Sequence, residues 1–407
     1  MHRTSMFGIL MDPGRSKGSY LYDLRRDEWL LDLFGMYSSL PLGYNHPIFA
    51  EERFREEMLE AAAVKVANCE MATPAAEKFL AAFSGHPSMA PFKYFHFACT
   101  GALAIEAAIK AAIDYRRAAQ SRVVNFRESF HGINSYGGIV TDRFGSVRQR
   151  LEGLPGAYWE PLENPVIRFE DGVPVMESRL TARVLEQVRT ILGGAGRDNV
   201  AAVLVEPIQC TAGDLYFDQS FLKGLRTLCT EFDVPLIFDE IQTGFGGTGT
   251  MWYFEQCDFV PDIVAFGKKT QTSGIMVREQ YGAIFQRPLR LEVTWDGDLL
   301  DMIRCRYVLE AYQRFDILEN VRARGAEIAK GLSGIPGLRN VRQRGLLIAF
   351  DFDTTEARDA YVRGMRQERT LVLSTQALTV RWRPHLAVSA DDVETGLERT
   401  RRVLDAG

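Results

Sequence analysis

Two short apolar runs constrain this chain more than any other feature. Pro235 to Phe238 ends on the acidic pair Asp239-Glu240, and Ile263 to Phe266 ends on Gly267-Lys268. Both are continuously hydrophobic, as strands buried on both faces of a parallel sheet are. In open α/β sheets, ligands bind at the carboxyl ends of such strands. The spacing therefore predicts a carboxylate and an amine at one edge of one sheet.

Around these runs the pattern alternates. Strands are expected at 122–126, 200–205, 234–239 and 262–266, with helices and glycine-rich turns between them. This favours βαβ units around a mostly parallel sheet. Tyr94 to Phe97 adds a short strand, and 101–117 reads as a helix with Ala102, Ile105, Ala108, Ile109 and Ala112 on one face. Upstream, 20–22 and 29–33 read as a hairpin, Leu40 to Pro47 as a loop, and 48–63 and 74–84 as helices. After about residue 300 the texture changes. A long charged helix from 298 past 316 leads to a strand at 344–351 and a helix near 355–368. Strands near 371–373 and 378–382 and a last helix at 390–404 follow. The expected division is a large domain over 41–291 and a smaller α+β domain from 1–40 and 292–407.

A chain of 407 residues, 46% of them apolar, can bury a large core. Its net charge of −5 is spread over interspersed acids and bases. That argues against a nucleic-acid surface or an acidic interaction arm. The six cysteines form no CxxC pair and no Cys/His cluster, which argues against zinc and for a reduced, cytoplasmic protein. The apolar patch Met6–Met11 is broken by Gly8 and is too short for a signal peptide. No run approaches the roughly 20 residues of a membrane span.

A lysine and an aspartate delivered together suit pyridoxal 5′-phosphate. That cofactor forms a Schiff base with a lysine, and its ring nitrogen pairs with an acidic side chain. Lys268 is the candidate Schiff-base lysine, with Lys269 one residue of register away. Asp239 is the candidate partner of the ring nitrogen, since a buried carboxylate must be paired; the alternative is a cap on the following turn. Gly101 and Ala102 open a helix whose first N–H groups can hold a phosphate. The chain has no G-x-x-x-x-G-K-[ST] string, and no G-x-G-x-x-G after its first strand, so a nucleotide-binding reading lacks its motif.

The stretch 234–276, with C-T-G-A-L-A-I-E-A-A-I-K-A-A at 99–112, resembles the class III (fold type I) aminotransferases, and among them the lysine 6-aminotransferases. The resemblance runs from about residue 18 to 404. It implies a mostly parallel seven-stranded sheet flanked by helices, plus a smaller α+β domain. It implies that Gly101 and Ala102 form the phosphate cup and that Phe130 of F-H-G stacks on the cofactor ring, with His131 beside it. Glu206 would be an active-site glutamate and Gln242 a partner of the phenolic oxygen. Thr294 would reach the phosphate of the neighbouring subunit in a homodimer with shared sites. Arg381 would grip a substrate carboxylate, and Arg383 could do so equally if strand alternation puts both on one face. The plainer readings are core packing for Phe130, a satisfied loop histidine for His131 and loop bonding for Gln242.

Three departures bear on substrate choice. Ile133 stands where the resembled enzymes carry an arginine, Thr211 where they carry a glutamate, and T-W-D-G-D replaces T-W-G-G-N, adding Asp296 and Asp298. The resemblance implies amino transfer from a primary amine, with a lysine-like terminal amine in view, to a 2-oxo acid such as 2-oxoglutarate. The departures imply an altered substrate site, as in a specialised biosynthetic route. An aminomutase or racemase of the same fold would share the proton-shuttling lysine and is the alternative.

Overall fold

The computed structural model describes residues 7–118, 121–143, 159–170 and 173–405; Met6 of the N-terminal apolar patch lies outside them. The chain divides into two compact units. One holds Glu57–Phe245 and Thr250–Leu309. The other holds the residues up to Glu56, Gly246–Gly249 and those from Glu310 onward. These borders differ from the 40/41 and 291/292 expected. Gly18 and Tyr44 exchange backbone hydrogen bonds of 2.8 and 2.9 Å, and Glu51 pairs with Arg314 at 2.7 Å, so 41–56 stay with the N-terminal hairpin. Asn68 donates to the Gly297 carbonyl at 3.3 Å and the Cys99 thiol to the Trp295 carbonyl at 3.5 Å, so 292–309 stay with the large sheet.

Among the described residues that sheet has six strands, not seven. Their order is Tyr94–Ala98, Ser273–Val277, Ile263–Phe266, Leu236–Asp239, Val200–Val205 and Arg122–Val124. Only Ser273–Val277 runs antiparallel to its neighbours. Sequence reading missed this strand. Its interior Gly274 weakens the strand pattern, yet a Cβ there would collide with the His96 carbonyl, so the pairing with Tyr94–Ala98 requires glycine.

Side-chain alternation decides what each strand end presents. Ile237, Ile263, Ala265, Ala202, Leu204 and Ile275 form one face, packed under Ala104, Ile105, Ala108 and Ala112 of the helix Gly101–Arg116. Asp239 is two residues beyond Ile237 and shares that face. On the opposite face Phe266 lies 5.2 Å from Phe83 and 6.1 Å from Trp252, ring to ring.

Asp262 sets the register that brings Asp239 and Lys268 out together. Its carboxylate accepts the Leu236 N–H at 2.8 Å and pairs with Arg226 at 2.7 Å and Arg278 at 3.3 Å. It thereby ties the starts of the two central strands. Replacing Asp262 with alanine leaves the mostly buried Arg226 without this carboxylate. We expect a loss of about 3–5 kcal/mol, read as a lowered urea midpoint; an unchanged midpoint would remove Asp262 from this role.

In the other unit Tyr20–Asp23 and Glu28–Asp32 form the expected hairpin, extended by Thr370–Leu371. A separate antiparallel sheet has the order Arg339–Arg344, Leu347–Asp351, Thr379–Trp382, Leu373–Thr375. The single long helix expected from 298 is two helices, Leu299–Arg314 and Ile317–Ser333, broken where Asp316 takes a left-handed φ of 47°. Among the described residues no helix is long and apolar enough to cross a membrane.

Candidate active site

The site is assembled in the larger unit from the ends of adjacent strands. Asp239 closes Leu236–Asp239 and pairs in register with Ala265; Lys268 follows two residues after Ile263–Phe266 ends. The Asp239 carboxylate is nearly sealed from solvent and has two protein partners. Oδ1 accepts the Ile241 N–H at 3.1 Å, and Oδ2 lies 2.8 Å from Nδ1 of the buried His131. The cap expected as its alternative role and a charge-bearing role therefore coexist on different oxygens. His131 Nε2 is buried and has no hydrogen-bond partner among the described residues.

Lys268 and Lys269 differ sharply. Lys269 is buried, and its Nζ donates to the Gln242 carbonyl at 2.7 Å. Lys268 is partly exposed and has φ 56°, a left-handed conformation costing a non-glycine residue about 1–2 kcal/mol. Such strain persists only where the surroundings enforce it.

Three glycines keep the space around this edge clear. A Cβ on Gly101 would come within 3.0 Å of Ile241, and one on Gly267 within 2.7 Å of the Ser273 hydroxyl. One on Gly132 (φ 99°) would come within 3.1 Å of the Ala102 Cβ. The F-H-G turn is thus packed on the start of the helix Gly101–Arg116, and that start is packed on the turn after Asp239. Thr100 caps the helix, its hydroxyl accepting the Leu103 N–H at 3.4 Å. The N–H groups of Gly101 and Ala102 have no intrahelical acceptor.

Glu206 lies across from Asp239. It accepts the Phe130 N–H at 2.8 Å. Burial, and then the Asp239 charge, push its proton affinity well above the ordinary carboxylate range. Phe130 itself is half-buried, Gln242 is buried, and Thr294 is exposed with its carbonyl 3.8 Å from the Cys69 thiol. Ile133 is 70% exposed, and the Thr211 carbonyl accepts Arg143 Nε at 3.2 Å.

Arg381 and Arg383 belong to the other unit, and both are buried. The alternation expected to place them on one face does not apply, because the strand ends at Trp382. Arg383 Nη1 donates to the Ile348 and Trp382 carbonyls at 3.0 and 2.9 Å, which binds it into its own sheet.

One residue beside the site escaped sequence reading. Glu240 is buried and accepts the N–H groups of Tyr253 and Phe254 at 2.6 and 2.9 Å; burial pushes its pKa up to about 7. It clamps the segment after the glycine-rich turn. Its position beside Asp239 was visible in the sequence, but its direction required the backbone.

An amine on a strained turn, a buried carboxylate with an imidazole as its side-chain partner, an open helix start and glycine-cleared space fit a flat, phosphorylated, cationic ring. The class III aminotransferase family model matches residues 3–404. The chain belongs to that family and is a pyridoxal phosphate-dependent transaminase. The L-lysine-epsilon aminotransferase of Mycobacterium tuberculosis is 36% identical over 97% of this chain and 92% of its own length. The 4-aminobutyrate aminotransferase of Schizosaccharomyces pombe is 30% identical over 99% and 91%. The solved structure of lysine aminotransferase from M. tuberculosis in the internal aldimine form superposes with a TM-score of 0.92 at 32% identity, covering 100% of this chain and 96% of that one.

Proposed function

We propose that this transaminase takes the terminal amine of a lysine-like ω-amine and delivers it to a 2-oxo acid such as 2-oxoglutarate, with Lys268 and Asp239 as the groups that act on the cofactor. The observation that carries this is the pairing of a strained, partly exposed Lys268 with a buried Asp239 at the ends of neighbouring strands. Pyridoxal phosphate, when bound, supplies the electron sink for the carbon that loses its amine.

In this reading Lys268 Nζ takes and returns the proton at the amine-bearing carbon of the substrate. Asp239 provides the negative charge facing the ring nitrogen, and His131 holds its Oδ2. Glu206, which burial keeps toward the protonated form, leaves that charge on Asp239. The N–H groups of Gly101 and Ala102 receive the phosphate, Phe130 covers a ring face and Gln242 reaches the phenolic oxygen. Arg381 offers a guanidinium to a carboxylate, while Ile133 and Thr211 shape the substrate side.

We also propose a homodimer with shared sites, in which Thr294 serves the neighbouring subunit. Leu59, Val64, Met71, Val293 and Trp295 are all at least 46% exposed on the larger unit, an apolar excess suited to an interface. Cysteines without a disulfide suit the cytoplasm.

The test uses the purified holoenzyme and a panel of diamines, ω-amino acids and α-amino acids. L-Lysine or a close ω-amine should discharge the cofactor's visible absorbance, 2-oxoglutarate should restore it, and the mass in solution should be twice 45.9 kDa. Discharge only by α-amines would refute the ω-amine assignment, and a monomer that turns over would refute shared sites.

A further inference from the structure

The strained turn at Lys268 carries a brace. Residues 267–273 connect two antiparallel neighbours, Ile263–Phe266 and Ser273–Val277, with Phe266 opposite Gly274. The connection bends at two positions of positive φ: Lys268 has φ 56°, and Gln271 has φ 66° with ψ −51°. The second lies close to the centre of the rare, strained kind of three-residue turn. The Thr272 N–H closes that turn by donating to the Thr270 carbonyl at 2.8 Å. The two bends are tied to each other. Gln271 donates to the Lys268 carbonyl twice, from its backbone N–H at 2.8 Å and from its side-chain Nε2 at 3.1 Å. A carbonyl oxygen has two lone pairs, so it accepts both at once.

This fastening bears on where the Lys268 amine points. The ends of the connection are pressed together, since a Cβ on Gly267 would come within 2.7 Å of the Ser273 hydroxyl. Its interior is drawn into the protein by Lys269, whose Nζ donates to the Gln242 carbonyl at 2.7 Å. The Thr270 hydroxyl donates to the Thr272 carbonyl and tightens the second bend. These contacts act on either side of the peptide group that follows Lys268, and the two Gln271 bonds act on that group itself. Holding its carbonyl with two donors holds the plane of the peptide, and with it the Lys268 backbone from which the side chain departs. A lysine amine sits at the end of a flexible four-carbon stem, so a shift of the backbone is carried out to Nζ. Strained torsions persist only where the surroundings over-determine them, and the partly buried Gln271 side chain supplies a determinant of that kind.

We propose that Gln271 is a positioning residue for Lys268: its side-chain amide holds the strained Lys268 peptide in the orientation that presents the amine to the cofactor and to the substrate carbon. This rests on the reading of Lys268 as the acting lysine and deepens it, because Gln271 acts through the backbone of that lysine and not on the reacting atoms.

The experiment uses the full-length holoenzyme and two variants. Gln271→Met keeps the length of the side chain and the strained φ without the donor. Gln271→Gly also lacks the donor but adopts that φ freely. Borohydride reduction and peptide mass mapping of the wild type first locate the cofactor. Attachment anywhere but Lys268 fails the reading beneath the proposal, and the proposal with it. With attachment at Lys268, Q271M and Q271G should both lower kcat for L-lysine and 2-oxoglutarate about tenfold to a hundredfold, the scale of a small misplacement. KM should stay within about twofold. In both variants the pH midpoint of the bound cofactor's visible absorbance should move by about half a unit or more. The urea midpoint should separate them, falling further in Q271M, where the strain remains, than in Q271G. A Q271G enzyme with the kcat and absorbance midpoint of the wild type would overturn the proposal, since Gln271 would then serve only the fold of its turn. A kcat that follows the urea midpoint across the three proteins would overturn it too. If the wild type does not turn over these substrates, the absorbance midpoint decides, and an unchanged midpoint in both variants overturns the proposal. If Q271M does not fold, Q271G decides by the same readings.

Discussion

Lys268→Ala should abolish amino transfer, lowering kcat on the order of 10⁴-fold or more, because in the proposed function one group serves both as the cofactor's attachment and as the proton carrier. Lys269→Ala is the control that the structure supplies. Its amine is held by the Gln242 carbonyl at 2.7 Å, inside the protein. Removing it leaves that carbonyl without this donor and should cost about 1–3 kcal/mol of stability, with cofactor attachment kept. Borohydride reduction followed by mass measurement separates the two. The mass gain of the bound cofactor should persist in K269A and vanish in K268A. The reverse would move the assignment by one residue and leave the strained backbone of Lys268, φ 56°, without a function.

This one-residue choice marks where sequence reading stops. The apolar runs before Asp239 and Gly267 specified the strands, because only buried parallel strands are apolar on both faces. The helix start at Gly101 was legible from its alanine-rich periodicity. The sequence favoured Lys268 over Lys269, but that the Lys269 amine is the one buried on the Gln242 carbonyl was not legible, since it depends on backbone torsions that neighbouring residues impose. The partner of Asp239 was hidden for another reason: His131 is 108 positions away in the chain, and only the packing of the F-H-G turn on Ala102 brings it within 2.8 Å. The strand Ser273–Val277 was obscured by Gly274, whose pattern suggests a turn but whose missing side chain is what permits pairing.

Asp239→Asn should lower kcat on the order of 10³-fold, the scale seen when one preorganised charge-stabilising group is lost. The substitution is clean because of how the carboxylate is bonded. Oδ1 takes the Ile241 N–H, which an asparagine oxygen can also accept. Oδ2 lies 2.8 Å from His131 Nδ1, which donates to the carboxylate. An asparagine amide can donate to Nδ1 when the imidazole carries its hydrogen on Nε2, which has no hydrogen-bond partner among the described residues. Both hydrogen bonds survive while the negative charge goes, and a loss of rate in D239N therefore measures the charge. Asp239→Ala removes the charge and both bonds and should also loosen the turn that Gly101 packs on. His131→Asn keeps the charge and loses its positioning, so its effect should be nearer tenfold, with a shifted pH profile of the cofactor's absorbance. The measurements are kcat and that pH profile for the three variants. A D239N enzyme within tenfold of wild type would mean that the charge does not act on the ring nitrogen, and that Asp239 serves only to cap its turn.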